Sequence, residues 1–270
     1  MSALQLPPTV LYEVRERVAY VSINRPRVLN AMDTEVRSGL DRAIEAFEND
    51  DDVLVAVLSG EGGQAFSSGA DLRENVARNE TSGRSRPIRG ARQGNSRPYD
   101  RLENCRKPII AAIDGYCLAG GFELALMCDI RVATRASTFG LPEPRRSLLG
   151  ATGLHNLSRM IPLGEAMRLQ LTGGTISGER AYQIGLVQEL ADNRRQLFGT
   201  VVADLLTEII ECAPLAVQAI KQIVKVGRNL PIEYSWKFSY PLQEQIGETE
   251  DFLEGPRAFI EKRPPRWKMR

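Results

Sequence analysis

The stretch KPIIAAIDGYCLAGGFELALMCDIRVAT, residues 107–134, contains the clearest indications of the fold of this chain. Two near-continuous apolar runs within it, PIIAAI and IRVAT, have the pattern of parallel strands that are covered on both faces. Between them, a glycine-rich turn opens the helix-like run GGFELALM. Strands that alternate with helices predict an α/β chain built from right-handed crossovers.

The preceding sequence extends this pattern. TVLYEV and VAYVSIN, separated by the charged turn RER, predict a β-hairpin, and VLVAVLSG predicts another buried strand that ends at Gly60. Asp33 or Thr34 is expected to cap a helix. The apolar residues of this helix recur at helical spacing: Val36, Leu40, Ala43, Ile44 and Phe47.

From about Asn193 onward the sequence is helix-like, and its character changes from α/β to all-helical. Pro241 lies inside the third of these helical runs and is expected to break or kink it. We therefore predict an α/β core of residues 1–195, which carries the functional site, followed by a helical region of residues 196–270.

The composition narrows the possible classes of function. The chain has 270 residues, of which 43% are hydrophobic and 26% are charged, as in ordinary globular proteins. A net charge of +1 gives the molecule no general attraction to nucleic acid or to anionic membranes. The first residues lack the pattern of a secretory signal, and no apolar run reaches the ~20 residues of a spanning helix. We expect a cytoplasmic protein.

Neither the cysteines nor the single histidine predicts a metal site. Cys105, Cys117, Cys128 and Cys212 lack CxxC spacing and have mostly apolar neighbours, so we expect reduced core residues. His155 is the only histidine, and it fits an ordinary position on a helix. A multi-histidine metal site is therefore excluded, and we expect no metal.

One segment fits no regular element. Residues 75–98, NVARNETSGRSRPIRGARQGNSRP, are rich in arginine, glycine and serine and poor in apolar residues, which predicts a long mobile loop. A solvated loop, a lid that holds an anionic ligand, and an RNA contact are all compatible with this composition.

Glu123 is the first candidate for chemistry, because it lies between Phe122 and Leu124 in an otherwise apolar run. It fits either a solvated helix face or a closed pocket in which a carboxylate moves protons. The preceding glycines open a helix whose first N–H groups have no internal partner and favour negative charge. Neither GxxxxGK[ST] nor GxGxxG is present, which argues against a phosphate loop.

Two further segments could complete such a pocket. SSGAD, residues 67–71, follows a strand with small residues that allow a sharp turn with outward N–H groups. Glu143 lies between two prolines that stiffen its backbone, 20 residues after Glu123. A helix, the strand IRVAT and a reversal could return Glu143 to the same pocket, where two carboxylates can divide acid and base roles.

Taken together, these segments resemble the crotonase (enoyl-CoA hydratase/isomerase) family. NRPRVLNAM, AFSSGADLRE, KPIIAAIDGYCLAGGFELALMCDIRVAT, FGLPE and RLQLTGGTISGERAYQIGLVQEL occur in the family's order and spacing. The resemblance implies a spiral of repeated ββα units, followed by helices that mediate trimer formation, with trimers that often pair into hexamers. It also implies an acyl-CoA thioester substrate, with coenzyme A as part of the substrate and no separate cofactor.

The resemblance also assigns roles to residues of this chain. The backbone N–H groups of Ala70 and Gly120 are implied to form an oxyanion hole, and Glu123 and Glu143 match the two catalytic glutamates. Phe259 and Lys262 match residues that reach CoA from a neighbouring subunit. The remaining residues implied to bind substrate or CoA are Arg27, Val28, Ala31, Ser68, Asp71, Leu72, Arg73 and Ala151.

The retention of both glutamates favours an enoyl-CoA hydratase over the alternatives. A double-bond isomerase of the same family commonly keeps only one of them, and a catalytically idle scaffold needs neither. An RNA-binding relative is supported only by the arginine-rich segment. The sequence departs from the hydratase pattern at Ser147 and Ala151, which stand where the family has glycines. Alanine keeps its N–H group, but the acyl-chain preference stays open.

Overall fold

A computed structural model describes residues 5–82 and 97–270 of the chain. The chain divides into a core unit, Met1–Cys105 with Ile109–Ala203, and a helical unit, Arg106–Pro108 with Asp204–Arg270. The predicted domains, 1–195 and 196–270, stay a prediction, because compactness alone does not establish a domain that folds independently.

Within the described part of the core unit, the larger sheet has six strands in the order β1-β2-β3-β5-β7-β10. Its strands are β1 (Val10–Arg15), β2 (Val18–Ile23), β3 (Val55–Gly60), β5 (Ile109–Ile113), β7 (Ile130–Thr134) and β10 (Glu189–Ala191). β1 and β2 form the predicted hairpin, and every later pairing is parallel. All residues of β3 and β5 are buried, as the continuous apolar runs predict.

The smaller sheet has four strands in the order β4-β6-β8-β9. They are β4 (Ala65–Ser67), β6 (Tyr116–Leu118), β8 (Thr138–Gly140) and β9 (Thr175–Ser177). After β1 and β2, the chain returns to the larger sheet at β3 and crosses to the smaller sheet at β4. This alternation is repeated at β5 and β6 and again at β7 and β8. This repetition confirms the predicted α/β architecture of ββα units.

Helices cover the two sheets and complete the core unit. They are α1 (Thr34–Asn49), α2 (Leu72–Ser82), α3 (Arg97–Asn104), α4 (Gly120–Met127), α5 (Gly153–Met160), α6 (Leu163–Thr172), α7 (Gly178–Gln183) and α8 (Arg194–Gln196). Asp33 caps α1 as predicted, since its Oδ1 accepts a hydrogen bond from the Val36 N–H at 2.9 Å. The predicted apolar face of α1 is fully buried.

A π-helical turn at Leu197–Val201 joins α8 to the C-terminal helices. These are α9 (Val202–Glu211), α10 (Pro214–Gly227), α11 (Ile232–Gly247) and α12 (Glu250–Ile260). α11 continues through Pro241, so the proline does not break the helix, and a kink there stays a prediction. None of the helices described here is long and apolar enough to cross a bilayer.

Two further expectations are corrected. The loop predicted for residues 75–98 is wrong at both ends, because residues 72–82 form α2 and residues 97–104 form α3. Residues 83–96, including Arg84, Arg86, Arg89 and Arg92, lie outside the described residues.

Cys105, Cys117 and Cys128 are buried free thiols as expected, but Cys212 is exposed and so is not a core residue.

Candidate active site

The site begins where β6 leads into α4. Ala119 is the N-cap residue of α4 with φ 49°, and its N–H donates to the Gly140 carbonyl at 2.9 Å. Gly121 in the first turn faces the backbone of β4, where an added Cβ would lie 2.5 Å from the Ser67 carbonyl oxygen. Only glycine fits there. Because glycine has no side chain, α4 can pack closely against the segment that follows β4.

That segment, residues 67–71, is held by hydrogen bonds to the loop before α1. The Met32 N–H donates to the Gly69 carbonyl at 2.8 Å, and the Asp71 N–H donates to the Met32 carbonyl at 3.0 Å. The Ser67 hydroxyl donates to the Asn30 carbonyl at 2.8 Å and accepts from the Gly69 N–H at 3.2 Å. These bonds fix the backbone on both sides of Ala70, while no described residue accepts a hydrogen bond from the Ala70 N–H.

The N–H groups of Ala70 and Gly120 lie close together. Within residues 5–82 and 97–270, neither N–H has a hydrogen-bond acceptor. A Cβ added to Gly69 would lie 3.0 Å from the Gly120 nitrogen, and one added to Gly120 would lie 3.7 Å from the Ala70 nitrogen. Two unpaired donors this close can both bind one oxygen atom that gains negative charge.

Glu123 lies one turn into α4 and points inward, with only 5% of its surface exposed. Its Oε1 accepts hydrogen bonds from the Gly153 N–H at 2.9 Å and the Ala151 N–H at 2.6 Å. Burial raises the pKa of Glu123, and the nearby charge of Glu143 adds to this rise, while the two N–H groups partly oppose it. A solvated helix face is thereby excluded for this side chain.

Glu143 begins a short 3-10 helix, Glu143–Arg146, and approaches the same space. Its Oε2 is buried and has no hydrogen-bond partner among the residues described. Burial raises its pKa, against the smaller opposing effects of its own backbone N–H and of Arg146. A Cβ added to Gly150 would lie 3.1 Å from Oε1 of Glu123 and 3.8 Å from Oε1 of Glu143. The two carboxylates thus converge, and both bind protons more readily than exposed glutamates do.

Known proteins are similar to this chain in sequence and in architecture. The model of the enoyl-CoA hydratase/isomerase family matches residues 13–270. The chain belongs to this family. The (E)-benzylidenesuccinyl-CoA hydratase of Thauera aromatica is 37% identical over 261 residues, which cover 95% of this chain and 97% of the relative.

Two more similar proteins support the assignment to the enoyl-CoA hydratase/isomerase family. The short-chain-enoyl-CoA hydratase of Clostridium acetobutylicum is 36% identical over 255 residues, covering 94% of this chain and 95% of the relative. The crystal structure of an enoyl-CoA hydratase from Mycobacterium marinum superposes with a TM-score of 0.86 at 36% identity, covering 98% of this chain and all of the other. Fold and family are shared along nearly the whole length.

The other residues that the family resemblance implies to bind substrate or CoA lie in different environments. Arg27 and Val28 form an exposed 3-10 helix, Ala31 is buried, and Leu72 and Arg73 are exposed at the start of α2. Phe259 and Lys262 belong to the helical unit, where Phe259 is 85% exposed. No group of three or more His, Cys, Asp or Glu side chains in the described part of the chain could hold a metal ion.

Asp71 forms an ion pair that the sequence did not predict. Its Oδ2 lies 3.1 Å from Nη1 of Arg25, which also pairs with Asp33 at 3.1 Å and donates to the Ala31 carbonyl at 2.7 Å. Burial opposes ionisation of Asp71, but the hydrogen bonds from Arg25 and from the Arg73 and Glu74 amides outweigh it and lower the pKa. Asp71 therefore fixes the backbone next to Ala70, and Arg25 of the quoted segment NRPRVLNAM is the residue that holds it.

Burial of the Glu143 carboxylate leads to a prediction for the stability of the protein. We expect Glu143→Gln to raise the free energy of unfolding at neutral pH by on the order of 1 kcal/mol, because a neutral amide is less costly to bury than a carboxylate. A carboxyl with a raised pKa favours folding below its unfolded pKa, and this contribution is lost as the pH rises through its folded pKa. The advantage of the variant should therefore shrink as the pH falls through that range.

Urea unfolding at several pH values measures this effect. Glu189→Gln is a matched control, since Glu189 is exposed on β10 and should be insensitive to the change. Equal stability of wild type and Glu143→Gln at every pH would contradict the conclusion that burial destabilises the Glu143 carboxylate.

Proposed function

We propose that this protein is an enoyl-CoA hydratase, a hydro-lyase that adds water to the α,β double bond of an enoyl-CoA thioester and gives a 3-hydroxyacyl-CoA. The main support for this proposal is that two carboxylates with raised pKa values converge beside two backbone N–H groups that are unpaired within the described part of the chain. Family membership and relatives named as enoyl-CoA hydratases support the same reaction.

In this proposal the Ala70 and Gly120 N–H groups bind the thioester oxygen. Attack of water at the β-carbon moves negative charge onto that oxygen, and an enolate forms. The two donors stabilise this charge more than they stabilise the neutral thioester, which lowers the barrier. Removal of one such donor typically costs ~3 kcal/mol of transition-state stabilisation.

The two glutamates divide the proton transfers. The Glu123 carboxylate accepts two backbone hydrogen bonds that favour its anion, so it suits the base that takes a proton from water. Glu143 has a buried oxygen with no such partner among the described residues, so it more readily carries the proton that goes to the α-carbon. The hydroxyl oxygen then comes from water, one proton of water passes to Glu123, and Glu143 supplies the new α-hydrogen.

The CoA part of the substrate needs contacts beyond the reacting atoms. Arg27 and Arg73 are exposed cations in the core unit and suit its phosphates. Phe259 and Lys262 are proposed to reach CoA from a neighbouring subunit, and the exposure of Phe259 supports its availability. The remaining proposed contacts are Val28, Ala31, Ser68, Asp71, Leu72 and Ala151. We propose no cofactor beyond the CoA of the substrate.

Self-association as a trimer, or as a dimer of trimers, belongs to the same proposal. The helical unit exposes several large apolar side chains, which soluble monomers rarely expose together. They include Trp236, Tyr240, Phe252, Leu253, Phe259 and Ile260. A cytoplasmic location stays a prediction from the sequence.

A product assay tests the proposed function. Short, long, branched and aromatic enoyl-CoA thioesters are incubated with the protein, and the products are separated and identified by mass spectrometry. We expect a 3-hydroxyacyl-CoA from at least one substrate class. Products with a shifted double bond and no added water would identify an isomerase. No turnover of any thioester, combined with salt-dependent binding of RNA, would support the RNA-binding alternative.

A further inference from the structure

Tyr99 places a hydroxyl group at the site, although no pattern in the sequence singles this residue out. It lies on α3, which packs against α4, and its ring is partly buried against the hydrophobic core. Its hydroxyl donates a hydrogen bond to the Gly120 carbonyl at 3.2 Å. The chain thus brings a phenol to the residue whose N–H is one of the two unpaired donors.

The hydroxyl borders the space between those two donors. A Cβ added to Gly120 would lie 2.7 Å from the Tyr99 oxygen, 3.2 Å from Cε of Met32 and 3.7 Å from the Ala70 nitrogen. The volume beside Gly120 is therefore bounded by the phenol on one side and by the Ala70 N–H on another. An oxygen atom bound by the two backbone donors would lie within reach of the phenol.

The electrostatic surroundings keep this phenol protonated. Burial raises the pKa of Tyr99, the charges of Glu123 and Glu143 add to the rise, and Arg37 only partly opposes it. A phenol beside two carboxylates cannot serve as a base at neutral pH. It can act as a neutral hydrogen-bond donor throughout the reaction.

The existing hydrogen bond of Tyr99 is a weak one. Its length of 3.2 Å exceeds the usual ~2.7–2.8 Å for an O–H···O bond. The Gly120 carbonyl also lies in the first turn of α4, where helix geometry directs it toward the N–H four residues later. The hydroxyl can therefore turn to a stronger acceptor at little cost, and an oxyanion is such an acceptor.

We propose that the Tyr99 hydroxyl is a third donor to the thioester oxygen, beside the N–H groups of Ala70 and Gly120. This inference rests on the proposed function, because it needs an acyl thioester at this site. In the free protein the hydroxyl bonds to the Gly120 carbonyl. As the enolate forms, it turns to the charged oxygen and contributes to catalysis by direct contact with the reacting group.

The test compares Tyr99→Phe with Tyr12→Phe, since both tyrosine rings are partly buried against the same core. Loss of the Tyr99 hydroxyl should lower kcat by about 10²-fold, the size seen for one oxyanion donor, with KM nearly unchanged. Tyr12→Phe should keep the wild-type kcat. Calorimetric unfolding of each variant shows whether a lower kcat reflects a less stable fold.

A second readout reports on the thioester oxygen directly. A dialkylaminocinnamoyl-CoA absorbs at longer wavelength when its carbonyl is polarised, so it is bound to each variant as the probe. We expect a smaller shift with Tyr99→Phe than with wild type or Tyr12→Phe. An unchanged shift, an unchanged kcat, or a loss of kcat matched by a large loss of stability would overturn the inference. A wild-type protein that neither binds the probe nor hydrates any enoyl-CoA would instead overturn the proposed function.

Discussion

Glu123→Gln and Glu143→Gln should each lower kcat for hydration by about 10²–10⁴-fold, the range for loss of a general acid or base. Both substitutions keep the shape of the side chain, and the amide introduced by Glu123→Gln would still offer an oxygen to the Ala151 and Gly153 N–H groups. KM should change little, because neither carboxylate is proposed to bind the CoA part of the substrate. The loss should therefore appear in kcat and not mainly in KM.

Steady-state kinetics on the best substrate of the product assay measures both constants. The double variant should lose little more than the worse single variant, because residues that act as a unit are not additive. Glu189→Gln is again the control for a lost surface charge. Near-normal turnover by either single variant would show that the proposed division of acid and base roles is wrong.

Gly69→Ala should cause the second large effect, a loss of both activity and stability. Gly69 has φ 95°, and an added Cβ would lie 2.6 Å from Cβ of Ala119 and 3.0 Å from the Gly120 nitrogen. The methyl group would strain its own backbone and push the segment before Ala70 away from α4. We expect about 1–3 kcal/mol of destabilisation and at least a roughly tenfold lower kcat, because both N–H donors move out of place.

Gly164→Ala is the matched control for this glycine substitution. A Cβ at Gly164 would meet nothing within 4 Å, and the residue lies in the first turn of α6. Alanine there should leave kcat unchanged and should not destabilise the protein. If Gly69→Ala retained both wild-type kcat and wild-type unfolding midpoint, the tight approach of the two backbone segments would not be needed for function.

The strands and the helix of the site that consist of continuous apolar runs could be predicted from the sequence. β5, α4 and β7 follow from residues 107–134, because buried parallel strands leave a clear apolar pattern. Glu123 and Glu143 lie close together, as expected if the chain reverses its direction after β7. The small residues of SSGAD and the glycines before Glu123 predicted free N–H groups, but their assignment to Ala70 and Gly120 required the family resemblance.

Long-range contacts explain what the sequence did not reveal. Helices α2 and α3 have polar, arginine-containing sequences, and α3 packs against α1 and α4, a tertiary contact that local propensity does not encode. Tyr99 reaches Gly120 across 21 residues, and Arg25 reaches Asp71 across 46 residues. Neither residue carries a local pattern that sets it apart from an ordinary surface tyrosine or arginine.

Product analysis in heavy-oxygen water shows whether the protein adds water to the β-carbon and whether Glu143 is needed for this reaction. Wild type and Glu143→Gln are each incubated with a short enoyl-CoA, and the products are analysed by tandem mass spectrometry at equal times. We expect one heavy oxygen on the β-carbon of a 3-hydroxyacyl-CoA with wild type, and product formation slowed by about 10²–10⁴-fold with Glu143→Gln. A wild-type product without heavy oxygen, or incorporation at the wild-type rate by Glu143→Gln, would contradict it.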